Sequence, residues 1–313
     1  MARDRKGPMY LIFAFTLAGT SVVAGRLVSG KLGVFTITGA SLFFALIFLV
    51  PACFHKIVRV IKRLSLRGYL LLALQALCGI FLFRMFLLSG LKMTSSAEAG
   101  ILTSATPAIT AVLAMAFLRE KANGRKLAGI GMTMAGVLLI QGLLAPDSAF
   151  APNHFLGNML VICAAACEAV FNVFSRAFVT KGASGVPQPV EPPVQTAIVS
   201  AMALVLCLFP ALLEQPARRL AAIGFTQWLA LLWYGLFVTA LAFICWYEGI
   251  SRCGALTAAA YSGMMPFTSA LLSVLFLGER LVLAQLAGGL LITGGMILIG
   301  RAAHKDVPNR AAI

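Results

Sequence analysis

Acidic side chains are scarce in this sequence. Aspartate and glutamate together number ten in 313 residues, and all charged residues make up 11%, against about 25% in an ordinary soluble domain. Metal-binding patterns are missing too. The three histidines, His55, His154 and His304, share no ligand spacing, and the seven cysteines form no Cys-x-x-Cys pair. Cys163 and Cys167 lie one helical turn apart, but cysteine is a common small buried residue, so neither a metal site nor a disulfide is expected. No cofactor is implied. There is no His-Glu-x-x-His, no pair of aspartates within an apolar run and no Ser/His/Asp set, which leaves an integral membrane enzyme as a distant alternative only. Long polar segments are absent as well, so a soluble catalytic domain has no room.

Apolar runs are what the chain has instead. Hydrophobic residues make up 60% of it, gathered in ten blocks at 9–29, 34–54, 69–90, 97–118, 124–145, 157–179, 194–213, 225–249, 255–277 and 282–300. About 20 apolar residues of helix span a bilayer's hydrocarbon core. The expected fold is therefore all-α, a polytopic membrane protein of ten transmembrane helices, with the lipid bilayer as its first partner.

The net charge of +15 does not indicate nucleic acid, because no loop is long enough to build a basic face. With the N-terminus in the cytoplasm, 17 of the 25 Lys and Arg fall on cytoplasmic ends and loops. Only Lys31, Lys92, Arg218, Arg219 and Arg280 fall on the other side, and Arg26, Arg84 and Arg176 lie within spans. The positive-inside rule then puts both termini in the cytoplasm. The first block follows Arg3, Arg5 and Lys6, as a signal peptide would, but its length and the nine blocks after it predict an uncleaved helix.

Two segments repeat each other. "SATPAITAVLAMAFLREKANGRKLAGIGMTMAGVLLI" begins at Ser104 and "SGMMPFTSALLSVLFLGERLVLAQLAGGLLITGGMILI" at Ser262. From the proline onward the offset is constant at 159 residues, pairing Pro107 with Pro266, Glu120 with Glu279, Gly129 with Gly288 and Gly136 with Gly295. Matched prolines, glutamates and glycines are not apolar filler, so this reads as an internal repeat. The offset covers five spans, an odd number, so the second copy enters the membrane from the opposite face. The expected organisation is two inverted five-helix halves, 1–150 and 151–313, an arrangement suited to alternating access. Pro107 and Pro266 are expected hinges or cavity-lining breaks. Gly129, Gly136, Gly288 and Gly295 are expected at a tight seam between the fifth and tenth spans.

Polar residues inside the spans mark the expected substrate site, because charge in hydrocarbon is costly. Arg84 either snorkels to the interface, pairs with Glu98 near the outer mouth, or holds a substrate carboxylate while Glu98 attracts an amine. Glu168, Asn172 and Arg176 recur every four residues on one helix face. Glu168 is either a proton-titrating or amine-binding carboxylate, or an internal packing partner. Trp246, Tyr247, Tyr261, Met264 and Met265 offer an adaptable apolar wall, of which Trp246, Tyr261 and Met265 are taken with Arg84, Glu98, Glu168 and Asn172 as substrate-binding candidates. Glu248 and Arg252, one turn apart, form an expected ion pair.

The two proline helices closing in "FLREK" and "FLGER", each followed by a glycine-rich helix, resemble the drug/metabolite transporter superfamily, specifically its EamA-type ten-helix exporters. The resemblance runs over essentially the whole chain. It implies a central cavity lined by spans one, three, four, six, eight and nine, and export of small metabolites such as amino acids or their derivatives across the bacterial inner membrane. The direction comes from the resemblance alone. Where that family often has Trp-Gly in its first span, this chain reads "LAGTSVV", so no contact is carried over from that tryptophan. Proton coupling is open, no oligomeric state is implied, and efflux of cationic drugs is the alternative function.

Overall fold

In the computed structural model, residues 6–103, 105–117, 124–140, 152–179, 190–261 and 264–305 are described. Among them there are helices and no strands. In chain order these are α1 (Lys6–Ser29), α2 (Val34–Arg63), α3 (Leu66–Ala76), α4 (Phe83–Gly90), α5 (Ser96–Thr103), α6 (Thr106–Phe117), α7 (Gly124–Ile140) and α8 (Pro152–Val179). They continue with α9 (Pro192–Leu213), α10 (Pro216–Ala221), α11 (Phe225–Trp233), α12 (Ala242–Tyr261), α13 (Met264–Leu277) and α14 (Leu283–Lys305). Among the described residues six stretches are long and apolar enough to cross a membrane: Lys6–Ser29, Val34–Arg63, Leu66–Gly90, His154–Asn172, Pro192–Leu213 and Phe225–Gly249. Shorter apolar helices cover Leu127–Leu139, Phe267–Leu277 and Leu283–Leu298.

The helices differ from ten plain rods in three places. In the expected fourth span Ala105 is a turn, between α5, which ends at Thr103, and α6, which starts at Thr106. The segment 242–261 is one helix across the position where a connection between spans eight and nine was expected. Two stretches of wide, π-type turns, Leu77–Leu82 and Tyr234–Leu241, join α3 to α4 and α11 to α12. They fall in the third and eighth spans, which occupy matching places in the two halves of the sequence.

The turn at Ala105 explains how a proline is accommodated in an apolar run. Pro107 is the second residue of α6, in the first turn, where a missing N–H costs little. The carbonyl that its N–H would have served, that of Thr103, instead accepts from Thr106 Oγ1 at 2.8 Å. Pro266 is likewise in the first turn of its helix, the third residue of α13. Ser262 and Gly263 lie outside the described residues, as do Glu120 and the side chains of both prolines.

Helix pairing is symmetrical under exchange of the first and second halves of the chain. α7 packs on α14, α2 on α9 and α5 on α13, while the pair of α1 with α12 is matched by that of α8 with α3 and α4. The α7–α14 crossing brings two backbones close together. A Cβ on Gly136 would meet the Gly288 carbonyl oxygen at 2.6 Å and Ile292, and one on Gly295 would meet the Gly129 carbonyl oxygen and Thr133. Backbone against backbone is the arrangement small residues permit in lipid. Gly136→Leu is expected to force these helices apart at a cost of about 1–3 kcal/mol, read as a lower melting temperature of the detergent-solubilised protein. An unchanged melt would show that the crossing carries no such constraint.

At one end of the bundle, carboxylates from later helices finish the N-termini of earlier ones. The residue before α2 is Gly33, which has no side chain to cap with. Glu214, after α9, instead accepts from the backbone N–H of Phe35 at 3.2 Å and of Thr36 at 2.7 Å, and from the Thr36 hydroxyl. Glu279, after α13, accepts from the N–H groups of Ser96 and Ala97 at 3.0 and 2.9 Å. It can reach them because Gly278, at φ +66°, turns the chain sharply past the end of α13. Each carboxylate meets orphan donors and the positive end of a helix dipole. The opposite end is marked by a Lys56–Glu191 ion pair at 2.8 Å, which ties α2 to the start of α9.

Candidate functional site

Between these two ends lies a cavity with about 90 Å³ of water-accessible space. α1, α8, α13 and the two π-containing helices line it. The wide turns sit at its wall: Gly79 belongs to the first, Tyr234 and Val238 to the second, and Phe83 and Arg84 follow the first directly. Such turns shift side chains around the helix and are frequent at functional sites.

Arg84 is 3% exposed. It donates to Ser41 Oγ at 2.8 Å and to Thr239 Oγ1, and its guanidinium lies over the Tyr234 ring, 4.5 Å from the centroid. Thr239 Oγ1 in turn donates to the Tyr234 carbonyl, five residues back, at 2.8 Å, so the second wide turn itself holds the arginine. No carboxylate pairs with Arg84 among the described residues. It neither snorkels out nor reaches Glu98.

Glu168 reaches the same cavity from α8, with Asn172 one turn on. Its Oε2 lies 2.9 Å from Thr106 Oγ1 at the start of α6, a hydroxyl whose single hydrogen is shared between this carboxylate and the Thr103 carbonyl. No cation among the described residues pairs with it, and the Arg176 side chain lies outside them. The cavity thus contains one guanidinium and one carboxylate, each held by neutral groups and neither paired with an opposite charge among the described residues.

The rest of the wall is aromatic. Phe171 stands 5.4 Å from Trp246 and 5.9 Å from Phe243, centroid to centroid. Gly79 makes room for this cluster, since a Cβ there would strike the Phe171 ring. Phe15, Phe83 and Met265 complete the apolar surface. Sequence reasoning did not single out Ser41, Thr239, Tyr234 or the phenylalanines. The one visible trace was polarity: Thr239 is a lone hydroxyl inside an apolar run, and Ser41 is one of a small group with Thr36 and Thr38.

Other candidates lie elsewhere. Tyr261 packs with Leu11, Phe15 and Trp246 behind the wall. Tyr247 is buried, its hydroxyl 3.1 Å from Gln75 Oε1, and Met264 is exposed. Glu248 and Arg252 form their ion pair, with Nε donating to Oε1 at 2.8 Å. Glu98 lies outside the cavity, in a closed polar cluster at the end of the bundle that Glu279 also occupies. Its Oε1 accepts from Gln285 at 2.8 Å, and its Oε2 from Thr94 at 2.8 Å and Asn158 at 3.1 Å, with His154 Nδ1 at 3.2 Å.

The sequence profile of the EamA-like transporter family matches residues 5–142 and again 155–301. The uncharacterized transporter YetK of Bacillus subtilis is 29% identical over 92% of this chain and 84% of its own length. The aromatic amino acid exporter YddG of Ancylobacter novellus is 31% identical over 56% of each chain. A solved crystal structure, 23% identical, aligns with 96% of this chain and 98% of its own at a TM-score of 0.62, and shows the same fold.

Proposed function

The chain belongs to the EamA-like transporter family, and from that premise we propose that it exports amino acids or amino-acid-derived metabolites by alternating access. A multi-pass membrane transporter moves a small molecule through a lipid bilayer. The finer reading rests on one observation: Arg84 and Glu168 line a single cavity, and among the described residues neither is paired with an opposite charge. A zwitterion supplies both missing partners, its carboxylate to the guanidinium fork and its ammonium to Glu168. The aromatic wall suits a large apolar side chain, and the relative YddG is named for aromatic amino acids.

Two five-helix halves, 1–150 and 151–313, turned upside down relative to each other, give the motion its mechanism. Exchanging their conformations opens the cavity first to one side and then to the other. At about 90 Å³ the cavity is smaller than the roughly 300–1,000 Å³ of ligand pockets in general, in keeping with a contracted state that widens to load. Charge asymmetry favours cytoplasmic termini in a bacterial inner membrane, which makes the Glu98 end the outer one. Pro107 and Pro266, at helix starts beside the cavity, serve as hinges.

Counterflow in proteoliposomes tests the zwitterion. Phenylalanine should exchange, while its amide, lacking the carboxylate, and its N-acetyl derivative, lacking the ammonium, should not. Equal exchange of all three would overturn the reading. Efflux of cationic drugs is favoured by the aromatic wall beside Glu168, and it requires Arg84→Ala to be harmless. Glu168 is also the group to couple export to protons. Glu168→Gln is expected to abolish export driven by a pH gradient while leaving counterflow measurable, and pH-driven flux at the original rate would exclude that coupling.

A further inference from the structure

A second, open pocket of about 580 Å³ lies at the Glu98 end, away from the cavity. It is lined by Arg26, Ser29, Gly30, Leu32, Lys92 and Arg219, from the end of α1, the 91–95 connection and α10. Three cations share it with no carboxylate. The neighbouring acids are committed elsewhere, Glu214 to the start of α2 and Glu98 to its own donors. Clustered like charges repel, and an anion placed among them relieves that repulsion.

The pocket is also shaped for one. Arg26 Nη1 donates to the carbonyls of Leu91 and Thr94, which pins the guanidinium, and its other N–H groups meet no acceptor among the described residues. Gly30 borders open space, since a Cβ there would meet nothing within 4 Å, so a larger side chain fits at this edge of the pocket. The geometry points to a headgroup site for an anionic phospholipid, with its phosphate between Arg26, Lys92 and Arg219.

A lipid is favoured over a soluble anion by the height of the site in the membrane. Arg219 is carried by α10, none of whose residues is buried. That helix is bracketed by Leu212, Leu213 and Phe225, which are 68%, 73% and 82% exposed. Apolar side chains so exposed belong in hydrocarbon, so α10 rides at the boundary where phosphates lie. Such cations attract anionic headgroups. A choline headgroup would bring its own positive charge into the cluster and gain far less.

The test uses the purified full chain in neutral detergent, with lipid retention read by native mass spectrometry. The probes are dioleoylphosphatidylglycerol, dioleoylphosphatidylcholine and inorganic phosphate. Phosphatidylglycerol is expected to bind at least about tenfold more tightly than phosphatidylcholine. Gly30→Glu adds a carboxylate without removing a cation, and should erase that preference, as should Lys92→Ala combined with Arg219→Ala. Arg218→Ala, outside the pocket, should keep it. Equal binding of the two lipids, or a preference that survives both pocket changes, would overturn the site. Inorganic phosphate that displaced phosphatidylglycerol at equal concentration would assign the pocket to a soluble anion and overturn the lipid.

Discussion

Arg84→Ala is expected to remove transport of carboxylate-bearing substrates, with a loss of about 2–4 kcal/mol in apparent affinity, or roughly 30- to 1,000-fold. The size follows from burial. A guanidinium in a cavity sheltered from water has only hydroxyls and a tyrosine ring for company, so a ligand carboxylate would be its strongest partner. Arg84 also ties α2 to the second wide turn through Ser41 and Thr239, so loss of flux alone would not separate binding from architecture. Discrimination does. The original protein should prefer an amino acid to its amide, and Arg84→Ala should lose that preference even where residual counterflow is small. Arg84→Lys keeps the charge but not the planar fork that spans both hydroxyls, so it should retain the preference at reduced affinity. If Arg84→Ala still distinguishes acid from amide as before, the guanidinium does not read the carboxylate.

The sequence reveals the members of this site more readily than their partners. Arg84, Glu168 and Asn172 stand out because polar groups in a hydrocarbon-length run need a reason to be there, and all three line the cavity. What holds them was hidden. Ser41 and Thr239 are 43 and 155 residues from Arg84, and no local spacing connects them. The wide turns that carry Arg84 and Tyr234 to the wall have no periodic signature, because they alter the period that a pattern search assumes. Pro107 signalled a break, but not that a new helix would start at Thr106 and place that residue against Glu168.

Glu98 shows a different limit. Read locally, Ser95-Ser96-Ala97-Glu98 is a capping box, and Ser95 Oγ does accept from the Glu98 backbone N–H at 3.1 Å. The carboxylate, however, is taken by Thr94, Asn158, Gln285 and His154, three of them from other helices or 60 or more residues away. Pairing with Arg84 was one of the expectations that two charges on adjacent spans suggested. Packing chose otherwise, because the core around Leu87, Leu88, Leu91 and Leu102 fills this end of the bundle and leaves Glu98 facing α8 and α14.

That arrangement makes Glu98 the latch of its end, and Glu98→Ala is expected to release it. One carboxylate joins the 91–95 connection, α5, α8 and α14, and hydrogen bonds to a charged acceptor are worth about 1.5–3 kcal/mol each. Water replaces most of that when the end opens, so a net shift of about 2–3 kcal/mol towards the open form is the reasonable scale, roughly 30- to 150-fold in population. Ala18 lines the cavity, and a cysteine placed there in a background free of the seven native ones reports the opening. Labelling by a membrane-impermeant maleimide from the Glu98 side should be slow in the parent and at least about tenfold faster with Glu98→Ala. Glu98→Gln should fall between, because it keeps the side chain's shape but turns an amide N–H towards one of the donors. Glu279→Gln should also open this end, more weakly, since the backbone N–H groups of Ser96 and Ala97 would keep one amide oxygen as acceptor. If the cysteine reacts at the parent rate in Glu98→Ala, the cluster does not close this end, and the barrier belongs to the apolar packing beneath it.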